Sequence, residues 1–300
     1  MASEPPAPAR ADEFDAIVEL VADQQGHPER AITYVGTERQ GIRAELDGLE
    51  PPWATTARVV HADDAIVGAV VVEWDEESGR AWILGPWVAG DAVAWDDHAD
   101  ALLDAALAQL PPTITRCELS GDVANVLLGE LASGRGWEPT EANHALLADA
   151  ATVAEWPVDD EAAGEFRPPE PNDIPAVAVL HDAEFPGTYA SAEQLVAGHA
   201  DGSRIVLVAP AAGGDGVAGY AAGQIHPDGE GFIDFVVVDP ATRGTGLGRR
   251  LVVALTRELL ARSTIGRVAL TVQDHRTTAR TLYERLGFRP DGSFVAYRNW

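Results

Sequence analysis

The sequence has no lysine and a single cysteine, Cys117, and all 21 of its basic residues are arginine. One thiol cannot build a disulfide framework, and no histidine or cysteine cluster has metal-ligand spacing, so neither a stapled secreted fold nor a metal centre is expected. A chain without lysine cannot modify lysine side chains of its own. No apolar run reaches membrane-spanning length, and residues 1–10 are rich in Pro and Ala without a signal-peptide core. They read as a disordered tail on a soluble, cytoplasmic chain. Positive charge is scarce, 21 arginines against 48 acids, and the formal charge of −27 disfavours nucleic acid or anionic membranes as partners.

What positive charge there is lies in one place. Residues 231–300 hold 11 arginines against six acids, a balance of +5, so the first 230 residues carry −32. Within that basic segment a valine-rich strand, Phe232 to Val238, runs through Asp239-Pro240 into Arg243-Gly244-Thr245-Gly246-Leu247-Gly248-Arg249-Arg250 and an amphipathic helix. Three glycines between a buried strand and a helix start let backbone N–H groups close around a phosphate, whose charge the helix dipole and the arginines favour. The Lys-Ser/Thr of a nucleotide triphosphate loop and the acidic residue of a dinucleotide fold are both missing, which points to a diphosphate on a different carrier.

Val238-Asp239-Pro240 and Arg243 to Gly248 resemble the acetyl-CoA loop of the GNAT acetyltransferases, Arg/Gln-x-x-Gly-x-Gly/Ala after a strand ending in Val-x-Pro. A second match follows in the right order: a strand, Arg267 to Val272, then Ala279, Leu282, Tyr283, Gly287 and Phe288, similar to the family's Asn-x-x-Ala-x-x-Leu-Tyr ending in Gly-Phe. Arg276 stands where the family has Asn. The resemblance implies an acetyl-CoA site made of Val236, Val237, Val238, Arg243, Gly244, Thr245, Gly246, Leu247, Gly248 and Arg249, with Arg276 binding a phosphate in place of the usual pantetheine contact.

A repeat with an offset near 150 residues runs through the chain. Arg58 to Val60 and Ala65 to Trp74 resemble Arg204 to Leu207 and Gly216 to Ile225; Ala81 to Pro86 parallels Gly231 to Val238; Gly136-Trp137 mirrors Gly287-Phe288. The expected architecture is α/β: two tandem GNAT folds, each a mixed, mostly antiparallel twisted sheet flanked by helices. The first spans 11–150, an acidic, Pro-rich linker spans 151–166, and the acetyl-CoA-binding catalytic domain spans 167–300. At the offset, the first cradle would fall on Val93 to His98, which has no glycine, places Trp95 against the backbone and sets Asp96 and Asp97 against a diphosphate. Tyr283 becomes Ala132. The first copy is therefore expected to be degenerate, making the chain a pseudo-dimeric monomer or a homodimer.

Acetyl transfer to an amine needs proton removal from nitrogen and a proton for the departing thiolate. The resemblance gives the second task to Tyr283. For the first, the family's glutamate positions are Phe232 and Thr271 here, so the candidates are Asp234, inside the strand, and Glu230, which shares its face if the strand is regular. Asp234 reads as base, as anchor for a substrate ammonium, or as a structural partner of an arginine. His181 and His226 are further base candidates. The acceptor site is expected within Asp173 to His199, with His181, Asp182, Glu184, Phe185 and Tyr189. The expected activity is acetyl-CoA-dependent N-acetylation of a primary amine on a small molecule, by direct attack in a ternary complex. A peptide or protein N-acetyltransferase, or a non-catalytic acyl-CoA-binding regulatory or scaffold protein, are the alternatives.

Overall fold

The computed structural model describes residues 5–63, 65–156, 166–213, 216–226 and 228–300. These form two units, 1–143 with 292–300, and 144–291.

In the first unit β1 (Ala7–Pro8), α1 (Phe14–Gln25), α2 (Arg39–Asp47) and α3 (Trp53–Thr56) precede β2 (Arg58–Ala62), β3 (Ala65–Asp75) and β4 (Arg80–Val88). Then come α4 (Ala92–Leu107), β5 (Arg116–Asp122), α5 (Val126–Gly134) and β6 (Glu138–Pro139). Its strands are antiparallel except β4 and β5, which are parallel. The run Gly68 to Val72 of β3 is buried at every residue, as in a strand covered on both faces; α1 and α4 both pack on it. Ala7 and Pro8, expected in a disordered tail, instead pair with Val59 and Arg58 of β2, because the edge of that strand offers unpaired backbone groups. Residues 1–4 of the tail lie outside the described residues.

The second unit begins with β7 (Asn143–Asp149) and α6 (Ala150–Ala154), and continues with α7 (Ile174–Glu184), α8 (Ala192–Asp201), β8 (Ile205–Pro210), β9 (Val217–Ile225) and β10 (Gly231–Val238). α9 (Leu247–Arg262), β11 (Arg267–Gln273) and α10 (Thr277–Arg285) follow, and then β12 (Arg289–Arg298), whose residues from 292 on belong to the first unit. The strand order in this unit is β8-β9-β10-β11-β7, with β10 and β11 parallel. One face is packed by α9, through Leu251, Val252, Leu255 and Leu259; the other by α7 and α8, through Val177, Leu180 and Leu195.

Two boundaries differ from those expected. Residues 151–156, read as the start of a linker, are packed: the Trp156 ring is buried against Phe288 at 6.3 Å and its Nε1 donates to the Leu286 carbonyl at 2.6 Å. An indole with a buried partner is worth more in a core than in a solvated tether. Of the rest of the expected linker, 157–165 lie outside the described residues, and Phe166 packs against the core of the second unit. Residues 292–300, read as part of the second copy, belong to the first unit, where Phe294 to Arg298 pair antiparallel with Asp122 to Glu118 of β5. Ladder hydrogen bonds depend on which strand edge is open, not on which half of the sequence supplies the partner.

Candidate active site

β10 sets the geometry. Gly231, Phe232 and Ile233 pair with Val268, Ala269 and Leu270 of β11, and the pairing stops there; from Phe235 to Val238 the strand is joined to β9 alone. The two parallel strands part, so one backbone edge of β10 is left open. A bulge between Ile233 and Phe235 coincides with the parting. It inverts the alternation of side chains: Ile233 packs on the α9 face, but Phe235 and Val237 pack on the α7 and α8 face, and Val236 and Val238 take over against α9.

The open edge leads into the glycine loop. Gly244 and Gly246 have φ of 79° and 82°, the left-handed region that residues with a Cβ avoid. Gly246 is the N-cap of α9 and supplies no side chain, so the first N–H groups of that helix have no side-chain cap. A Cβ on Gly246 would stand 3.1 Å from Arg250 Nη1, and one on Gly248 3.4 Å from a Val238 methyl, so the loop is closed tightly around backbone donors. The Thr245 hydroxyl is turned inward to the Thr242 carbonyl, 2.8 Å away.

This loop forms one wall of a cavity of about 820 Å³, within the usual range for small-molecule sites. Of the residues expected at the cofactor, Val236, Val237, Val238, Arg243, Gly244, Gly246, Leu247, Gly248, Arg249 and Arg276 line it; Thr245 does not. Tyr283 lies on the facing wall, with its ring 5.8 Å from Phe288 in an edge contact. Burial pushes its phenol up to about 12, against the pull of Arg276, so the hydroxyl stays protonated through any ordinary working pH. Sequence reasoning missed the stripe Thr277, Thr278, Thr281 and Arg285, whose helical spacing puts them along the same wall.

Asp234 and Glu230 are not on the cavity wall. Asp234 accepts from Tyr189 Oη (2.5 Å), Arg204 Nη1 (2.7 Å) and Gln224 Nε2 (3.1 Å), and its side chain is 1% exposed. Burial raises its carboxyl above the ordinary range while those partners draw it down. Glu230, at the opposite end of β10 from the loop, pairs with Arg267 Nε at 3.1 Å, and burial raises it too. Glu184 alone among the lining residues carries a carboxylate, and it holds Arg243 and Arg276 at 3.1 and 2.5 Å. His181 is core: it bridges the Tyr220 hydroxyl and the Ala190 carbonyl (2.8 Å) and meets Phe235 edge-on. His226 stacks on Phe232, with ring centroids 4.8 Å apart.

The first unit differs from this arrangement in the length of the loop as well as in its residues. β4 ends at Val88, matching Val238 at the offset, but α4 starts at Ala92 where α9 starts at Leu247, so the connecting loop is five residues shorter. Residues 93–98, expected to be a blocked cradle, are helix, with Trp95 buried in the core. Asp91 caps α4, accepting from the amides of Val93 (3.1 Å) and Ala94 (3.2 Å). A carboxylate of the chain itself holds the donors that a phosphate would need. Among the described residues no group of His, Cys, Asp and Glu is placed to hold a metal ion, and no helix is long and apolar enough to cross a membrane.

Residues 174–288, which contain the loop and Tyr283, match the acetyltransferase (GNAT) family. The match covers less than half of the chain, and over that segment the chain is similar to the GNAT acetyltransferases. The mycothiol acetyltransferase of Saccharopolyspora erythraea is 45% identical over 74 residues, which are 25% of this chain and 24% of that protein. The chain thus spans about a quarter of the length of that curated relative. In structure it is similar to a GCN5-related N-acetyltransferase from Sphaerobacter thermophilus (TM-score 0.68, 18% identity, 99% of this chain and 94% of that one). It is also similar to a tandem GNAT protein from the clavulanic acid biosynthesis pathway (TM-score 0.60, 17% identity, covering 99% and 98%). At such identities the likeness concerns the fold, and it is a likeness to two tandem GNAT folds.

Proposed function

We propose that the second unit transfers acetyl from acetyl-CoA to a primary amine of a small molecule, by direct attack in a ternary complex. The observation that carries this reading is that the uncapped, glycine-closed start of α9 and the Tyr283 phenol line one cavity. The residues present fit acetyl-CoA: the amides of Gly244 to Arg249 and the Arg243 guanidinium would hold the diphosphate, and the open edge of β10 at Val236 to Val238 the pantetheine arm. Bound acetyl-CoA supplies the acetyl group as a thioester. Tyr283 Oη donates its proton toward the sulfur. The name of the curated relatives supports acetyl transfer, but a match over a quarter of one such protein does not carry mycothiol to this chain as its acceptor.

The test is release of free thiol from acetyl-CoA with ethanolamine, glucosamine, tyramine and spermidine, beside calorimetry of acetyl-CoA alone. One acetyl-CoA per chain and turnover with at least one amine are expected. Two equivalent sites would place a cradle in the first unit as well, and binding without turnover on any amine would make the chain a binding protein.

Because no uncommitted carboxylate lines the cavity, we propose that Asp234 anchors Tyr189 and Arg204 and that the amine reaches the site already deprotonated. For an alkylamine with a pKa near 10.4, kcat/KM is then expected to climb about tenfold per pH unit toward that pKa. Asp234→Asn should leave that slope unchanged and destabilise the unit by about 2 kcal/mol through the weakened bond to Arg204. A wild-type profile already flat above neutral pH, turned into a slope by Asp234→Asn, would return Asp234 to the role of base.

A further inference from the structure

Arg276 occupies the N-cap position of α10, where it provides no side-chain cap. It is a poor residue for that place: it has no acceptor for the first helical N–H groups, and its charge faces the positive end of the dipole. Its side chain is engaged elsewhere. Nη1 donates to Glu184 Oε1 (2.5 Å), Nη2 to the Glu184 backbone carbonyl (3.0 Å) and Nε to Gln273 Oε1 (3.1 Å), and the guanidinium lies 5.0 Å from the centre of the Phe185 ring. Glu184 is the last residue of α7, and Phe185 leaves helical backbone with φ −131° and ψ 62°. A planar cation therefore ends the helix by holding its terminal carbonyl and carboxylate on two separate nitrogens, a fixed spacing that the single nitrogen of an ammonium does not reproduce.

The loop that leaves this clamp, residues 185–190, is fastened again further on. Phe185 and Tyr189 pack on Phe235 at 5.0 and 5.3 Å, and Tyr189 Oη donates to Asp234 at 2.5 Å. Two helical turns after Arg276, the same helix presents Tyr283 to the cavity. One end of the loop is thus tied to the helix that carries the proton donor, and the other to the strand that carries the open edge.

We propose that Arg276 is a positioning residue, which fixes the start of loop 185–190 relative to Tyr283 by closing the end of α7, and that cofactor binding does not depend on it. This rests on the functional reading above and on the expectation that the acceptor site lies within Asp173 to His199.

Arg276→Gln keeps an amide of similar reach but loses the fork and the charge. Amide hydrogen exchange in 185–190, read by mass spectrometry, should speed up about tenfold, the effect of one lost charge-assisted bond, while calorimetry finds the acetyl-CoA Kd within about threefold. With whichever of the four amines turns over, KM should rise about tenfold and kcat stay within about threefold, and Arg276→Lys should restore neither exchange nor KM. Unchanged exchange overturns the proposal. So does an acetyl-CoA Kd weakened tenfold, which would make Arg276 a cofactor ligand, or a kcat loss at constant KM. A wild-type chain that fails to bind acetyl-CoA defeats the functional reading instead, and exchange in 185–190 then judges the clamp by itself.

Discussion

Gly246→Asp is expected to weaken acetyl-CoA binding at least about a hundredfold, or some 2.7 kcal/mol, with the fold retained. Three effects act together. The residue is at φ 82°, where a side chain is disfavoured although Asp tolerates it better than most. The new Cβ stands 3.1 Å from Arg250 Nη1 and must displace it or be displaced. The carboxylate would also set a negative charge beside the first N–H groups of α9, where the proposed diphosphate would lie. A stable protein without cofactor affinity is the outcome to look for. Thermal unfolding and calorimetry on the same sample check it; binding within about threefold of wild type would mean that the diphosphate lies elsewhere.

Tyr283→Phe should lower kcat by roughly 10- to 1000-fold, the span of a lost general acid, while the acetyl-CoA Kd holds. The ring is also a packing element, edge-on to Phe288, and phenylalanine preserves that contact. Since burial holds the phenol near 12, it stays protonated below that pH and should put no alkaline limb on the rate between pH 7 and 10. A limb in that window that disappears in Tyr283→Phe would show the phenol titrating far lower. An unchanged kcat at saturating amine would assign the proton to solvent.

Much of this site was legible beforehand because its chemistry is local. Glycine spacing, the strand before it and the helix after it lie within one stretch of chain, and ten of the eleven residues expected at the cofactor line one cavity. Asp234 was harder. Period-two alternation places it correctly with Phe232, but the bulge that follows flips the next residues, and its partners Tyr189 and Arg204 come from 45 and 30 positions away. The first copy misled for a related reason: a fixed offset carries a loop across as substitutions and cannot show that it is five residues shorter. Glu184 could be flagged only as one polar residue among several, because what matters is the helix end it occupies and the arginine that finds it from 92 positions on.

Residues 292–300 also constrain the order of events in synthesis. Synthesis runs from the N-terminal side to the C-terminal side, and domains made first commonly fold first. Here the first unit has Phe294 to Arg298 beside β5, with Arg298 Nε on Glu118 at 2.5 Å and Asn299 Oδ1 on the Cys117 amide at 2.8 Å. Its sheet can be finished only when residues 294–298 have cleared the exit tunnel. Until then β5 has an open edge, and a unit whose strands are made before those of the second closes after them.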